Sequence, residues 1–191
     1  MGAMTNVVHV LVTGSPMAAY VDRLIDLVHA EEWTVCVVAS PDGRKFIDAE
    51  ALEAKTGYPV RSEYKRPGDP DAVPPPAGLI VAPLTCNSLA KWAAGISDTL
   101  PLGLLVEGFG RGLPIVAVPA ANKPLISFPA VQAAIRNLSD WGVTMLVGDD
   151  VYEQPEPGGG AAAVDRFPWA RAWETFKSTV DRGARPLPPN S

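Results

Sequence analysis

Runs of apolar residues alternate along this chain with stretches whose apolar positions recur at helical spacing. "NVVHVLV" (6–12), "TVCVVAS" (34–40), "GLIVAPL" (78–84), "LPIVAVPAA" (113–121) and "VTMLVG" (143–148) are short, β-branched and apolar on both faces, as buried strands are. Between them lie helical patterns: "MAAYVDRLIDLVHA" (17–30), Asp48 to Thr56 ending near Gly57, "SLAKWAAGISD" (88–98), "LGLLVEGFG" (102–110) and "PAVQAAIRNLSDWG" (129–142). "YPVRSEY" (58–64) is a candidate short strand. "KRPGDPDAVPPPAG" (65–78) is a loop, because its five prolines and two glycines cannot continue a helix. "EPGGGAAA" (156–163) is expected to be flexible, "PWARAWETFKSTVD" (168–181) to be a closing helix and the tail to be loose.

Strand–helix alternation with strands buried on both faces predicts an α/β fold: a three-layer, doubly wound parallel sheet of Rossmann-like or flavodoxin-like type. No repeat and no shift in composition marks a second domain. The chain is expected to form one domain over 1–191, with a core over 7–150, a flap over 151–167, a C-terminal helix over 168–182 and a tail over 183–191. Its 191 residues suffice for a sizeable core.

Composition narrows the function. A formal charge of −5 and the lack of any basic cluster argue against a partner bound through its phosphate backbone, so no nucleic acid is expected. Two cysteines and two histidines, without zinc-type spacing, predict neither a disulfide framework nor a metal site. Cys36 and His9 fall inside strands and are expected in the core, and His29 at a helix end. The "MGAM" opening has the look of a cloning remnant. No signal peptide is expected, since no positive charge precedes the first apolar run, and the longest apolar region, 100–121, is broken by Glu107, Arg111, several glycines and Pro114. A cytoplasmic protein without a membrane span is the expectation.

Candidate chemistry sits at strand exits, where open α/β sheets bind ligands. Strand one ends in Thr13-Gly14-Ser15-Pro16, strand two in Ser40-Pro41, and the middle strand in Thr85-Cys86-Asn87-Ser88. The first and third lead toward helix N-termini, which favour anions. Gly14 allows close backbone approach and Ser15 adds a hydroxyl. Ordinary N-capping explains any one of these loops. Three at one sheet edge point to a phosphate-bearing cofactor. Neither G-x-G-x-x-G nor G-x-x-x-x-G-K-[ST] occurs, so a standard dinucleotide site or a P-loop is disfavoured.

In these motifs the chain resembles the homo-oligomeric flavin-containing cysteine decarboxylases. The resemblance covers residues 7–150 in order. "TGSPMAAY" (Thr13–Tyr20) matches the family's first loop, and Ser40 followed by Phe46 its second. "PLTCNSLAKWAAGISD" matches the third, with Asn87, Lys91, Ala93, Gly95 and Asp98 in place. "PAAN" (Pro119–Asn122) stands for Pro-x-Met-Asn. The resemblance implies FMN held by Gly14, Ser15, Pro16, Ser40, Thr85, Cys86, Asn87, Ser88 and Asp98, with Phe46 near the isoalloxazine ring. It implies a homotrimer or dodecamer. It implies a small-molecule or peptide substrate carrying a thiol and a carboxylate, bound by Asn122 and Ala121. The family oxidises a cysteine-type thiol, and the resulting C=S group accepts the electrons left by departing CO2.

The chain departs from the family where the base is needed. The family's histidine before the middle strand is absent from "RPGDPDAVPPPAG"; Asp69 and Asp71 lie near its place, and Asp69 and Asn122 are the catalytic candidates. An ordinary carboxylate is a weaker base than imidazole. Ala121, Leu125 and Ile126 stand where the family has methionines and tryptophan. The flap carries no cysteine. Cys86 stands where relatives have alanine; a reactive thiol and a small buried filler both fit there. The expected function is therefore an FMN-binding, decarboxylase-like flavoprotein. One alternative is an FMN protein without decarboxylase activity. Another is a flavin prenyltransferase, for which Glu107 and Arg111 are the charged residues on offer. A fourth reading, a different α/β nucleotide binder, would leave the protein colourless.

Overall fold

The computed structural model describes residues 6–183; the "MGAM" opening and the tail beyond Gly183 lie outside the described residues. Five strands, β1 (Val7–Val12), β2 (Thr34–Ala39), β3 (Gly78–Leu84), β4 (Ile115–Pro119) and β5 (Thr144–Met145), form one parallel sheet in the order β2-β1-β3-β4-β5. The helices are α1 (Asp22–His29), α2 (Ala49–Thr56), α3 (Cys86–Ala93), α4 (Leu100–Gly110), α5 (Lys123–Ile126), α6 (Pro129–Asp140), α7 (Gly160–Ala163) and α8 (Trp169–Asp181).

The strand pleat sorts successive residues onto opposite faces. Val8, Val10, Val12, Ile80 and Ala82 join one core cluster with Leu24, Ile25, Trp173 and Phe176 from α1 and α8. Leu11, Val38, Leu79 and Val81 join the other with Leu89, Leu105 and Leu138 from α3, α4 and α6. Three layers follow because helices cover both faces of the sheet, while Val7 and Cys36 pack against Val73 and Tyr58 of the connecting segments. The strand order reverses direction between β1 and β3, and the exits of those two strands open a crevice there.

Several elements differ from their sequence outlines. The 17–30 helix is split: Pro16–Tyr20 is a 3-10 turn and α1 starts at Asp22. The helix at 88–98 starts earlier, at Cys86, and stops at Ala93, because Gly95 takes the left-handed φ of 74° and Ile96 N–H returns to the Lys91 carbonyl, a Schellman stop. "YPVRSEY" forms a single bridge, Arg61 to Val38, rather than a strand. Pro59 has no N–H to extend it. The last strand shrinks to Thr144–Met145, and "GAAA" within the glycine-rich stretch forms α7.

Candidate functional site

Thr13 organises the crevice. Its side chain is buried; its hydroxyl donates to the Pro83 carbonyl at 2.9 Å and accepts the Thr85 N–H at 2.8 Å. Its own N–H also reaches the Pro83 carbonyl, at 3.1 Å. The β1 exit is thereby bound to the β3 exit by both backbone and side chain. Gly14 then brings β1 against the loop after β2: a Cβ at Gly14 would lie 2.7 Å from Asp42 Cβ. At the β2 exit, Ser40 accepts the Gly43 N–H at 2.9 Å.

Beyond these exits lie two adjoining cavities. The smaller, of about 210 Å³, is lined by Ser40, Asp42, Ser88, Lys91 and Thr99 among others; the larger, of about 460 Å³, by Ser15, Cys86, Asn122, Tyr152 and Glu156 among others. Gly14, Thr85 and Asn87 line both. Thr85 caps α3, accepting the Ser88 N–H at 3.3 Å and donating to Ser88 Oγ at 3.2 Å. The amides of Cys86 and Asn87, first in α3, have no intrahelical acceptor and carry the positive end of the helix dipole. The first loop differs from expectation here: Ser15 caps a short 3-10 turn, so of these two loops only the one after β3 leads into an α-helix N-terminus.

The charged groups near the smaller cavity are already paired. Lys91 meets Asp98 at 2.5 Å, and Asp42 meets Lys45 at 2.7 Å, a bond that holds the Asp42 carboxyl below its usual range. Asp98 pairs with Lys91 and does not itself line either cavity. Burial pushes the Cys86 thiol up, and Cys36, deep in β2, up to about 11, so both favour the neutral form.

Most of the residues singled out from sequence come together: Gly14, Ser15, Pro16, Ser40, Thr85, Cys86, Asn87, Ser88, Ala121 and Asn122 line one cavity or both. Phe46 does not; it ends a 3-10 turn, is 39% exposed and lines neither. Asp69 and Asp71 lie in the exposed loop, Asp69 accepting the Arg66 N–H and Asp71 paired with Lys65 at 2.7 Å. Neither histidine lines a cavity: buried His9 bonds the Pro74 carbonyl at 2.9 Å, and His29 ends α1. Glu107 and Arg111 pair with each other on α4 at 3.5 Å.

The sequence reading outlined a flap over 151–167 but named none of its residues as part of the site. Segment 151–160 closes the larger cavity with Tyr152, Pro155, Glu156, Gly158 and Gly160. Gln154, 7% exposed, pins it: its carbonyl oxygen accepts the Ala121 N–H at 3.1 Å and its amide donates to the Pro119 carbonyl at 3.2 Å. Lys123 adds ion pairs to Glu153 and Glu156 at 3.0 and 3.1 Å. The only signal in sequence was a polar residue among prolines and glycines, which does not tell a buried glutamine from an exposed one.

The family model described as Flavoprotein matches residues 3–166. A probable phosphopantothenoylcysteine decarboxylase of Arabidopsis thaliana is 28% identical over 140 residues, 65% of this chain and 66% of the relative. The coenzyme A biosynthesis bifunctional protein CoaBC of Thermococcus kodakarensis is 28% identical over 123 residues, 59% of this chain but 29% of the relative. The chain thus matches less than two thirds of the length of either relative. Among solved structures, HAL3 from Cryptococcus neoformans superposes with a TM-score of 0.71 at 17% identity, covering 92% of this chain and 96% of that one. The FMN-dependent cysteine decarboxylase SpaF superposes with 0.66 at 21%, covering 90% and 99%. At these identities the superpositions speak for the three-layer α/β fold.

Proposed function

Because this chain belongs to the Flavoprotein family, we propose that it binds FMN across the two adjoining cavities and acts as a decarboxylase-like enzyme on a cysteine-type thiol carboxylate. The observation that carries this is the convergence of the β1, β2 and β3 exits on one crevice at the reversal of strand order. The donor set fits the group. In the smaller cavity the free Asn87 amide of α3, the Ser40 and Ser88 hydroxyls and Lys91 suit the phosphate and ribityl chain. The larger, mostly apolar cavity suits the isoalloxazine ring, with a substrate beside it.

FMN bound there would accept a hydride and so oxidise the thiol carbon. The protein's part is to hold and orient. Asn122 caps α5 through its carbonyl oxygen, which accepts the Leu125 N–H at 3.0 Å, and this leaves its amide hydrogens for a substrate carboxylate. Exposed apolar side chains beside the cavity, Leu125 at 53% and Phe128 at 59%, support a homo-oligomer, as a trimer or a larger assembly of trimers. Both cysteines are free, in keeping with a reducing, cytoplasmic setting; among the described residues no helix is long and apolar enough to cross a membrane.

A second reading, a flavin protein without decarboxylation, is favoured by one observation: no imidazole lines either cavity, and neither does Asp69. An absorbance spectrum of the purified protein, with identification of the released chromophore, tests the shared claim. Incubation with a cysteine-ending peptide separates the readings. Loss of CO2 and two hydrogens from the peptide supports the first; a yellow protein that leaves the peptide intact supports the second.

A further inference from the structure

Among the described residues, three titratable side chains line the larger cavity: Cys86, Glu156 and Tyr152. Cys86 is a partly buried thiol held in its neutral form, and Glu156 is engaged by Lys123. Tyr152 is different. It is 4% exposed, yet its hydroxyl makes no hydrogen bond with any described residue. Among the described residues, the enclosed side-chain polar atoms without partners are His9 Nδ1 and Trp169 Nε1; the Tyr152 oxygen is not one of them. Tyr152 is nearly buried, keeps its oxygen accessible, and borders the larger cavity. Buried hydroxyls normally find partners, and this one borders a ligand-sized cavity with its bonding capacity unused by the described residues.

Tyr152 is also held in place. Its ring packs edge-on against Phe167 with centroids 5.3 Å apart, and Phe167 in turn lies 4.5 Å from Trp169. Its N–H bonds the Gly148 carbonyl at 3.0 Å, and two residues later Gln154 ties the segment to the β4 exit. The ring is therefore oriented before anything binds, which lowers the entropy cost of a hydrogen bond to its tip.

The geometry points to Tyr152 as a hydrogen-bond donor to a lone-pair acceptor of the cavity's occupant, on the flavin or on the thiol substrate beside it. Burial raises the phenol above its ordinary value of 10.0, opposed by the nearby Arg166 charge, so the group stays protonated near neutrality and donates rather than accepts a proton. This inference rests on the flavin reading above and adds to it a residue that the motif resemblance does not include.

Tyr152→Phe tests it, because the ring and its packing on Phe167 stay and only the hydroxyl goes. Wild type and variant are titrated with FMN, following the dissociation constant, the visible bands and the reduction potential, and then with the tripeptide Ala-Ala-Cys, following perturbation of those bands. Melting temperature serves as the structural control. If the flavin is the acceptor, FMN binds about 2- to 10-fold more weakly and the bands or potential shift, while melting of the apoprotein is unchanged. If the substrate is the acceptor, FMN binding is unchanged and the tripeptide response weakens by a similar factor. A variant identical to wild type in both titrations overturns the inference and leaves the flavin reading standing. A wild type that takes up no FMN overturns both.

Discussion

At the residue scale the site depends on atoms that are absent as much as on those present. Gly14 lets the β1 exit lie against the loop after β2, where a Cβ would meet Asp42 Cβ at 2.7 Å. Asp42 Cβ is anchored to the backbone and cannot swing aside as the end of a long side chain can. Gly14→Ala should therefore push the two exits apart and distort the smaller cavity. The expected outcome is at least tenfold weaker FMN binding, read by fluorescence titration, with the fold retained by circular dichroism. Gly95 shows the other use of the residue: its left-handed φ of 74° ends α3 where a sequence reading carries the helix on to Asp98.

At the element scale the crevice exists because β1 and β3 are fastened together at their exits. Thr13 does this with one hydroxyl that both donates to the Pro83 carbonyl and accepts from the Thr85 N–H. Thr13→Val keeps the shape and removes both bonds, leaving the buried ends of two strands less satisfied. We expect a loss of about 1–3 kcal/mol, measured by urea unfolding, and weaker FMN uptake, because Thr85 caps the helix whose amides face both cavities. The opposite end of the sheet has a fastening of a different kind. His9 in β1 holds the 65–77 loop through the Pro74 carbonyl, and the first residue of β1, Val7, accepts the Ala77 N–H at 2.8 Å.

At the scale of the whole molecule that histidine makes stability depend on pH. Burial, chiefly, and the Arg61 charge push the His9 imidazole below its ordinary value of 6.5, against the raising effect of the Pro74 bond. The unfolded chain then binds a proton at a higher pH than the folded one, so stability falls as pH drops below 6.5 toward the folded value. Above 6.5 the contribution of His9 is fully present. Melting temperature measured against pH should decline over that window in wild type and decline less in His9→Gln. Equal slopes for the two proteins would show that other groups set the dependence. The contact between α1 and α8 titrates elsewhere: Glu31 accepts from Lys177 and Trp173, which lowers its carboxyl below the ordinary 4.5, so that tie is lost only in more acidic solution.

The sequence by itself determined the strands, the three-layer class and most of the loops that line the two cavities. Each of these is a local property: apolar runs too short and too β-branched for helices, and hydroxyl-bearing residues where a strand gives way to a helix. Gly14, Ser15, Ser40, Thr85 and Asn87 were legible because their chemistry and their place at a strand exit are both written in adjacent residues. Only the tertiary structure decided that β3 lies beside β1, so that Thr13 reaches Pro83 across 70 residues of chain. Only it placed Phe46 and Asp69 outside the cavities, and turned Tyr152 and Gln154 from residues of an unpatterned segment into one wall of the site. Hydrophobic periodicity reports which face of an element is buried. It carries no information about which loop will close over a cavity, because that depends on a few long-range hydrogen bonds with no periodic signature.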